Sequence, residues 1–249
     1  MSFYIKIFKV ACLIGTVAVA ACQTETVDKD DILLKSLYET AAKAEITGDH
    51  SAAVSHYQNL FQRNPDDPQL RLSLARNLRY SGLAARAVQL LEAAEPEHLE
   101  LVDLQIELGK SKLAAGKTRQ AIGILLKVAE KDQENWEIFS ALGIAYDLVE
   151  NFEAARAAYE RAMGLSEENP AVLNNMALSI ASSGDLDGAI ELLKNAPRLA
   201  RHNPHIRQNL AMLFGIKGDK DSAQALSRMD LDEETVQQNL KIYTQLGQK

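Results

Sequence analysis

Cysteine is nearly absent, with two in 249 residues, so a disulfide framework is excluded. Aromatic residues make up only 6%, and any core must be packed from aliphatic and small side chains. Thirteen glycines and six prolines are too few for an all-β chain with frequent tight turns. Positive charge is in deficit too. The formal net charge of −7 argues against the phosphate backbone of a nucleic acid as ligand. What remains is ordinary for a folded protein: 47% hydrophobic and 24% charged residues, in a chain long enough for one or two domains.

The N-terminus reads as an address. Lys6 and Lys9 precede an uncharged, mostly apolar run of twelve residues, Val10 to Ala21. A membrane-spanning helix needs about 20 such residues, so twelve fit the core of a signal peptide. The run ends Val19-Ala20-Ala21-Cys22, which resembles the bacterial lipobox. That resemblance implies cleavage after residue 21 and acylation of Cys22. Removing Lys6 and Lys9 leaves 25 basic against 34 acidic side chains, a net −9. Several acyl chains, each buried methylene contributing about 0.8 kcal/mol, make such an anchor stable. Gln23, rather than Asp, follows the cysteine, and the resemblance then implies the periplasmic face of the outer membrane. Residues 22–30 form a polar tether.

Beyond it the chain repeats every 34 residues. Ala41, Ala75, Gly109, Gly143, Ala177 and Ala211 form one ladder of small residues. Ala53, Ala87, Ala121, Ala155, Ala189 and Ala223 form a second. Gly48, Gly82, Gly116, Gly184 and Gly218 form a third, interrupted by Glu150. Around them the apolar residues fall three or four apart, as in Phe139, Leu142 and Tyr146, the spacing of one helix face. Small residues let two antiparallel helices approach closely. The glycine between them ends the first helix in a left-handed conformation. Each pair leaves an apolar flank that only its neighbour can cover, so the pairs stack.

These residues resemble the tetratricopeptide repeat. The resemblance implies an all-α, right-handed α-solenoid of six units, 34–67, 68–101, 102–135, 136–169, 170–203 and 204–237, within a domain at 31–237. A capping segment at 238–249 follows. Asp232 is placed to cap a last helix striped by Val236, Leu240 and Tyr243. The third unit departs from the pattern at Gln105 and Lys112, and the sixth at Ser227 and Asp230.

Catalysis finds little support. Ser111 to Thr118 (SKLAAGKT) looks like a phosphate loop lacking its first glycine, but it straddles a helix and the turn at Gly116 rather than following a strand. His202 and His205 lie across the Asn203-Pro204 turn with no carboxylate or thiol pattern around them. No serine sits in a nucleophile elbow. The reading is therefore of no enzyme, no metal, no cofactor and no small-molecule substrate.

Binding is what stacked helices offer. In the resembled repeats the concave wall comes from the first helix of each unit, at its second, fifth, sixth, ninth, twelfth and thirteenth positions. In unit two those positions include Gln69, Arg76, Arg79 and Tyr80, a basic patch in an acidic protein. In units five and six they include Asn174, Asn175, Gln208 and Asn209. Asn175 and Asn209 are 34 apart and form two rungs on one face; Asn amides suit the backbone of an extended peptide. A solvated face, with no ligand role, is the alternative for both groups.

The segment LNNMALSIASSGDLDGAIELLKNA and the later HNPHIRQNLAMLFGIKGDKDSAQALSRMDL, with QQNLKIY after them, look like the TadD lipoproteins of tight-adherence (Tad/Flp) pilus systems. That resemblance implies an outer-membrane pilotin whose protein partner is a pilus secretin subunit. It also implies contact with the membrane through the lipid and none with nucleic acid. Other expectations of the same architecture are an adaptor for periplasmic proteases or peptidoglycan hydrolases, and a subunit of an outer-membrane assembly machine.

Overall fold

Small residues set how closely the helices of this chain approach. In the computed structural model, which describes residues 29–195 and 202–248, the alanines at 53, 87, 121, 155, 189 and 223 are all completely buried. So are Ala41, Ala75, Ala177 and Ala211. The signal segment and Cys22 lie outside the described residues.

Helices α1 (Lys29–Ile46) and α2 (His50–Arg63) form the first pair, and α3 (Pro68–Tyr80) and α4 (Ala84–Glu92) the second. After a single turn, α5 (Pro96–Leu99), come α6 (Val102–Ala114) with α7 (Thr118–Lys131) and α8 (Trp136–Asp147) with α9 (Phe152–Leu165). The fifth pair is α10 (Pro170–Ser182) and α11 (Leu186–Lys194), the sixth α12 (Pro204–Lys217) and α13 (Lys220–Ser227). The last helix, α14 (Glu233–Leu246), packs on both members of the sixth pair. The second helix of each of the first five pairs packs on the first helix of the next. Among the described residues there is no strand. The molecule is an all-α solenoid.

Where the ladder carries glycine, a large side chain fills the space. A Cβ on Gly143 would stand 2.5 Å from the Tyr159 ring, and one on Gly109 2.7 Å from Leu125. The Tyr159 hydroxyl donates to Asp147 at 2.9 Å, and Asp147 also accepts from Ser179 of the next unit at 2.6 Å. Three units earlier, Tyr57 donates to Glu45 at 2.9 Å in the same way.

The turn ladder continues even where its residue type changes. The five turn glycines have φ between 73° and 99°, and Glu150 takes φ 58° at the same position. Four of the first helices open on a polar cap one residue before the unit: Asp67, Asn135, Asn169 and Asn203 accept from backbone N–H groups of the first turn. Leu101 occupies this place before the third unit and makes no side-chain cap. Leu83 and Lys117 likewise leave α4 and α7 uncapped.

Of the four polar departures, Gln105, Lys112 and Asp230 are satisfied, whereas Ser227 is completely buried and its hydroxyl has no hydrogen-bond partner. Gln105 Nε2 donates to the Leu99 carbonyl at 2.6 Å. Lys112, 4% exposed, reaches Glu92 and Gln120. Arg71, at the position equivalent to Gln105, donates to the Leu90 and Pro65 carbonyls. Arg207, equivalent again, pairs with Asp230, the sixth-unit departure. The boundary expected at 238 falls inside α14, because Asp232 accepts from the Thr235 N–H at 3.0 Å and starts that helix five residues earlier. Likewise α1 begins at Lys29, inside the expected tether.

Candidate binding groove

The groove is built by the first helices of units two to five. Rise and turn of an α-helix put positions 2, 5, 6, 9 and 13 of each on a common side. Stacking at 34-residue intervals aligns them into rows. Row nine presents Arg76, Lys110 and Ile144; row thirteen presents Tyr80, Ala114 and Leu148. Together with Arg79, Leu113, Trp136, Glu137 and Asn175 they enclose a trough of about 650 Å³.

Its electrostatics differ from those of the whole chain. Three cations, Arg76, Arg79 and Lys110, face one lining carboxylate, Glu137. Each cation is also held from a neighbouring unit. Arg76 stands 3.5 Å from Glu45 with 43% of its side chain exposed. Lys110 pairs with Glu137, itself 44% exposed. Arg79 forms a two-pronged bond with Glu107 at 2.6 and 3.1 Å, and Glu107 is 4% exposed. Burial opposes the charge on Arg79, but the hydrogen bond and charge of Glu107 outweigh it and raise the guanidinium pKa above its ordinary value. This two-pronged bond pins unit two to unit three.

Tyr80 is exposed at the rim but fixed in place. Its ring stacks on His50 at 4.7 Å and carries the Arg79 guanidinium at 4.2 Å, a cation–π geometry. His50 is in turn bonded to Asn77 at 2.8 Å. The apolar part of the lining is Leu113, Trp136, Ile144 and Leu148, of which Ile144 and Leu148 are exposed.

The structure divides the residues expected to line the concave face. Arg76, Arg79, Tyr80 and Asn175 come together in the trough. Asn174, Gln208 and Asn209 do not join them. Asn209 donates to Asn174 at 2.6 Å, and Gln208 donates to Asp230 at 2.8 Å. Gln69 lies beside Arg76 in an adjoining hollow. The centre of the groove, Lys110, Leu113, Trp136, Glu137, Ile144 and Leu148, is absent from the sequence-derived set. All but Trp136 occupy the same positional rule in units three and four, so the rule itself, applied there, finds them.

The other sequence candidates fall elsewhere. The segment Ser111 to Thr118 ends α6 and turns into α7, with no strand before it. His202 and His205 are both exposed. Among the described residues no three His, Cys, Asp or Glu side chains gather to hold a metal. No described helix is long and apolar enough to cross a membrane.

Comparison with known proteins agrees with this architecture. Tetratricopeptide-repeat models match residues 47–98, 106–162 and 149–213. A thermophilic tetratricopeptide-repeat protein of Thermus thermophilus superposes with TM-score 0.67 at 20% identity, over 73% of this chain and 98% of that one. A double mutant of MamA from RS-1 superposes with TM-score 0.51 at 18% identity, over 68% of this chain and 94% of the other. These likenesses concern the fold. The BBSome complex member BBS4 of Bos taurus is 29% identical over 90 residues, which are 36% of this chain and only 17% of that protein. A 34-residue ladder, six helix pairs and matched repeat models across more than half its length show that this chain belongs to the tetratricopeptide-repeat family, whose repeats generally serve as protein-binding scaffolds.

Proposed function

We propose that this protein is an outer-membrane lipoprotein of a Tad/Flp-type pilus system. In this reading it acts as a pilotin that holds a segment of the secretin subunit. The observation that carries the proposal is the trough across units two to five, lined by Arg76, Arg79 and Lys110 from units two and three and by the apolar Leu113, Trp136, Ile144 and Leu148 of units three and four. Such a surface takes a peptide segment, and a solenoid offers it without rearrangement. The lipobox supplies the address: acylation of Cys22 anchors the scaffold, and the short tether keeps the groove close to the membrane. A secretin subunit bound there reaches the outer membrane with its carrier.

Secretin multimers in membrane fractions provide the test, comparing the wild type, a deletion strain and Cys22→Ala. Multimers and surface pili fall in the deletion strain. In Cys22→Ala, multimers shift away from the outer membrane while the soluble scaffold still binds its subunit. Unchanged multimers in the deletion strain overturn the reading.

A further inference from the structure

Turns within units lie along one edge of the solenoid and loops between units along the other, because the helices of each pair run back on one another. The two edges differ in chemistry. We propose that the turn edge of units one to three rests on an anionic phospholipid bilayer. This builds on the reading of the chain as a membrane-anchored lipoprotein and adds which way the scaffold faces.

Exposed apolar side chains stand at the tips of this edge. Ile46 is 85% exposed, and Tyr80 and Leu83 are exposed in the next unit. Successive packed helices are about 10 Å apart, so these tips protrude singly rather than forming a groove. A fluid apolar phase accepts isolated side chains, whereas a protein partner needs a matching pocket for each. Charge follows the same division. Residues 43–52, 77–86 and 111–120 carry six basic and two acidic side chains, a net +4. The same positions of units four to six carry two basic and seven acidic, a net −5. Lys43, Lys117 and Arg119 are exposed and, among the described residues, in no ion pair. They are available, unlike Arg79 and Lys112, which are paired inside the fold. Both carboxylates are engaged: Asp49 caps α2, and Glu45 holds Tyr57 and Arg76. The N-termini of α4 and α7, uncapped at Leu83 and Lys117, open on this edge and add positive helix ends. The opposite edge gathers Asp66, Asp67, Glu95, Glu97 and Glu100 between units one, two and three, and an anionic surface repels them. Reach is sufficient. With 18 residues, α1 is about 27 Å long. The seven steps from Cys22 to Lys29 span up to about 25 Å, so an inclined α1 brings Ile46 to the bilayer that holds Cys22.

Residues 23–249, without acyl chains, contain every described helix and isolate the edge from the anchor. The test is flotation with vesicles of three parts phosphatidylethanolamine to one part phosphatidylglycerol. The protein should float with them, and about fivefold less with phosphatidylcholine vesicles or at high salt. Lys117→Glu with Arg119→Glu should weaken flotation about tenfold, and Ile46→Ser with Leu83→Ser about fivefold. Glu97→Gln, on the opposite edge, should leave it unchanged, and thermal melting verifies that each variant is folded. No flotation, equal flotation with neutral vesicles, or indifference to either pair of substitutions overturns the inference. So does sedimentation in which the wild type self-associates and Ile46→Ser with Leu83→Ser does not, which marks the strip as a protein interface instead. Flotation can fail while secretin multimers still fall in the deletion strain, and the reverse, so the two readings fail separately.

Discussion

At single residues, the repeat imposes its geometry even on side chains that do not suit it. Glu150 holds φ 58° where five other units place glycine, and a left-handed conformation costs a non-glycine residue about 1–2 kcal/mol. Part of that is returned as unfolded-state entropy on substitution. Glu150→Gly is therefore expected to raise stability by about 0.5–1 kcal/mol, read as a rise in the urea midpoint at constant slope. Gly143→Ala should do the opposite, losing about 1–3 kcal/mol as its methyl meets the Tyr159 ring. The buried tyrosines add a pH dependence. Burial and then the Glu45 hydrogen bond push Tyr57 from 10.0 to about 12. Tyr159 is raised further, by burial and Asp147. Between pH 10 and 12 the native state keeps protons that the unfolded chain has lost. Stability is thus full below pH 10 and falls as pH rises, by at most about 1.4 kcal/mol per pH unit for each tyrosine. Equilibrium urea unfolding from pH 8 to 11.5 checks this, and Tyr159→Phe should flatten the slope.

Among the helices, capping separates the second helix of unit two and both helices of unit three from their neighbours. Asp and Asn cap the helices on either side, while Leu83, Leu101 and Lys117 do not. A side-chain cap contributes about 0.5–2 kcal/mol. Leu101→Asn and Lys117→Asp should each add about 1 kcal/mol and slow amide exchange in the first turns of α6 and α7. The ladders at 34-residue spacing made every helix pair legible in the sequence, because small residues at crossings and glycine at turns are local requirements of close packing. The third unit was less legible. Gln105 and Lys112 read as faults, yet they bond the Leu99 carbonyl, Glu92 and Gln120 across element boundaries, and such partners are not visible in periodicity.

For the molecule as a whole, stability is a sum of units and the interfaces between them. The Arg79–Glu107 pair crosses the interface between units two and three. Removing one partner of a buried pair leaves the other uncompensated and costs about 3–5 kcal/mol. Glu107→Leu should therefore split unfolding into two transitions, with units one and two melting first. Arg79→Met combined with Glu107→Leu should restore most of the loss. Differential scanning calorimetry distinguishes one transition from two.

Composition and spacing alone were enough for the class, the helix pairs and the turn positions, because each depends on residues close in the chain or on a strict period. The composition of the binding face was not available from them. Arg76, Arg79, Tyr80 and Asn175 share a trough with Lys110, Trp136 and Leu148, whereas Asn174, Gln208 and Asn209 are held in bonds of their own. Position within a repeat tells which side of a helix a residue occupies. Whether its polar atoms remain available depends on which neighbour stacking brings within about 3 Å, and that is a property of the assembled solenoid.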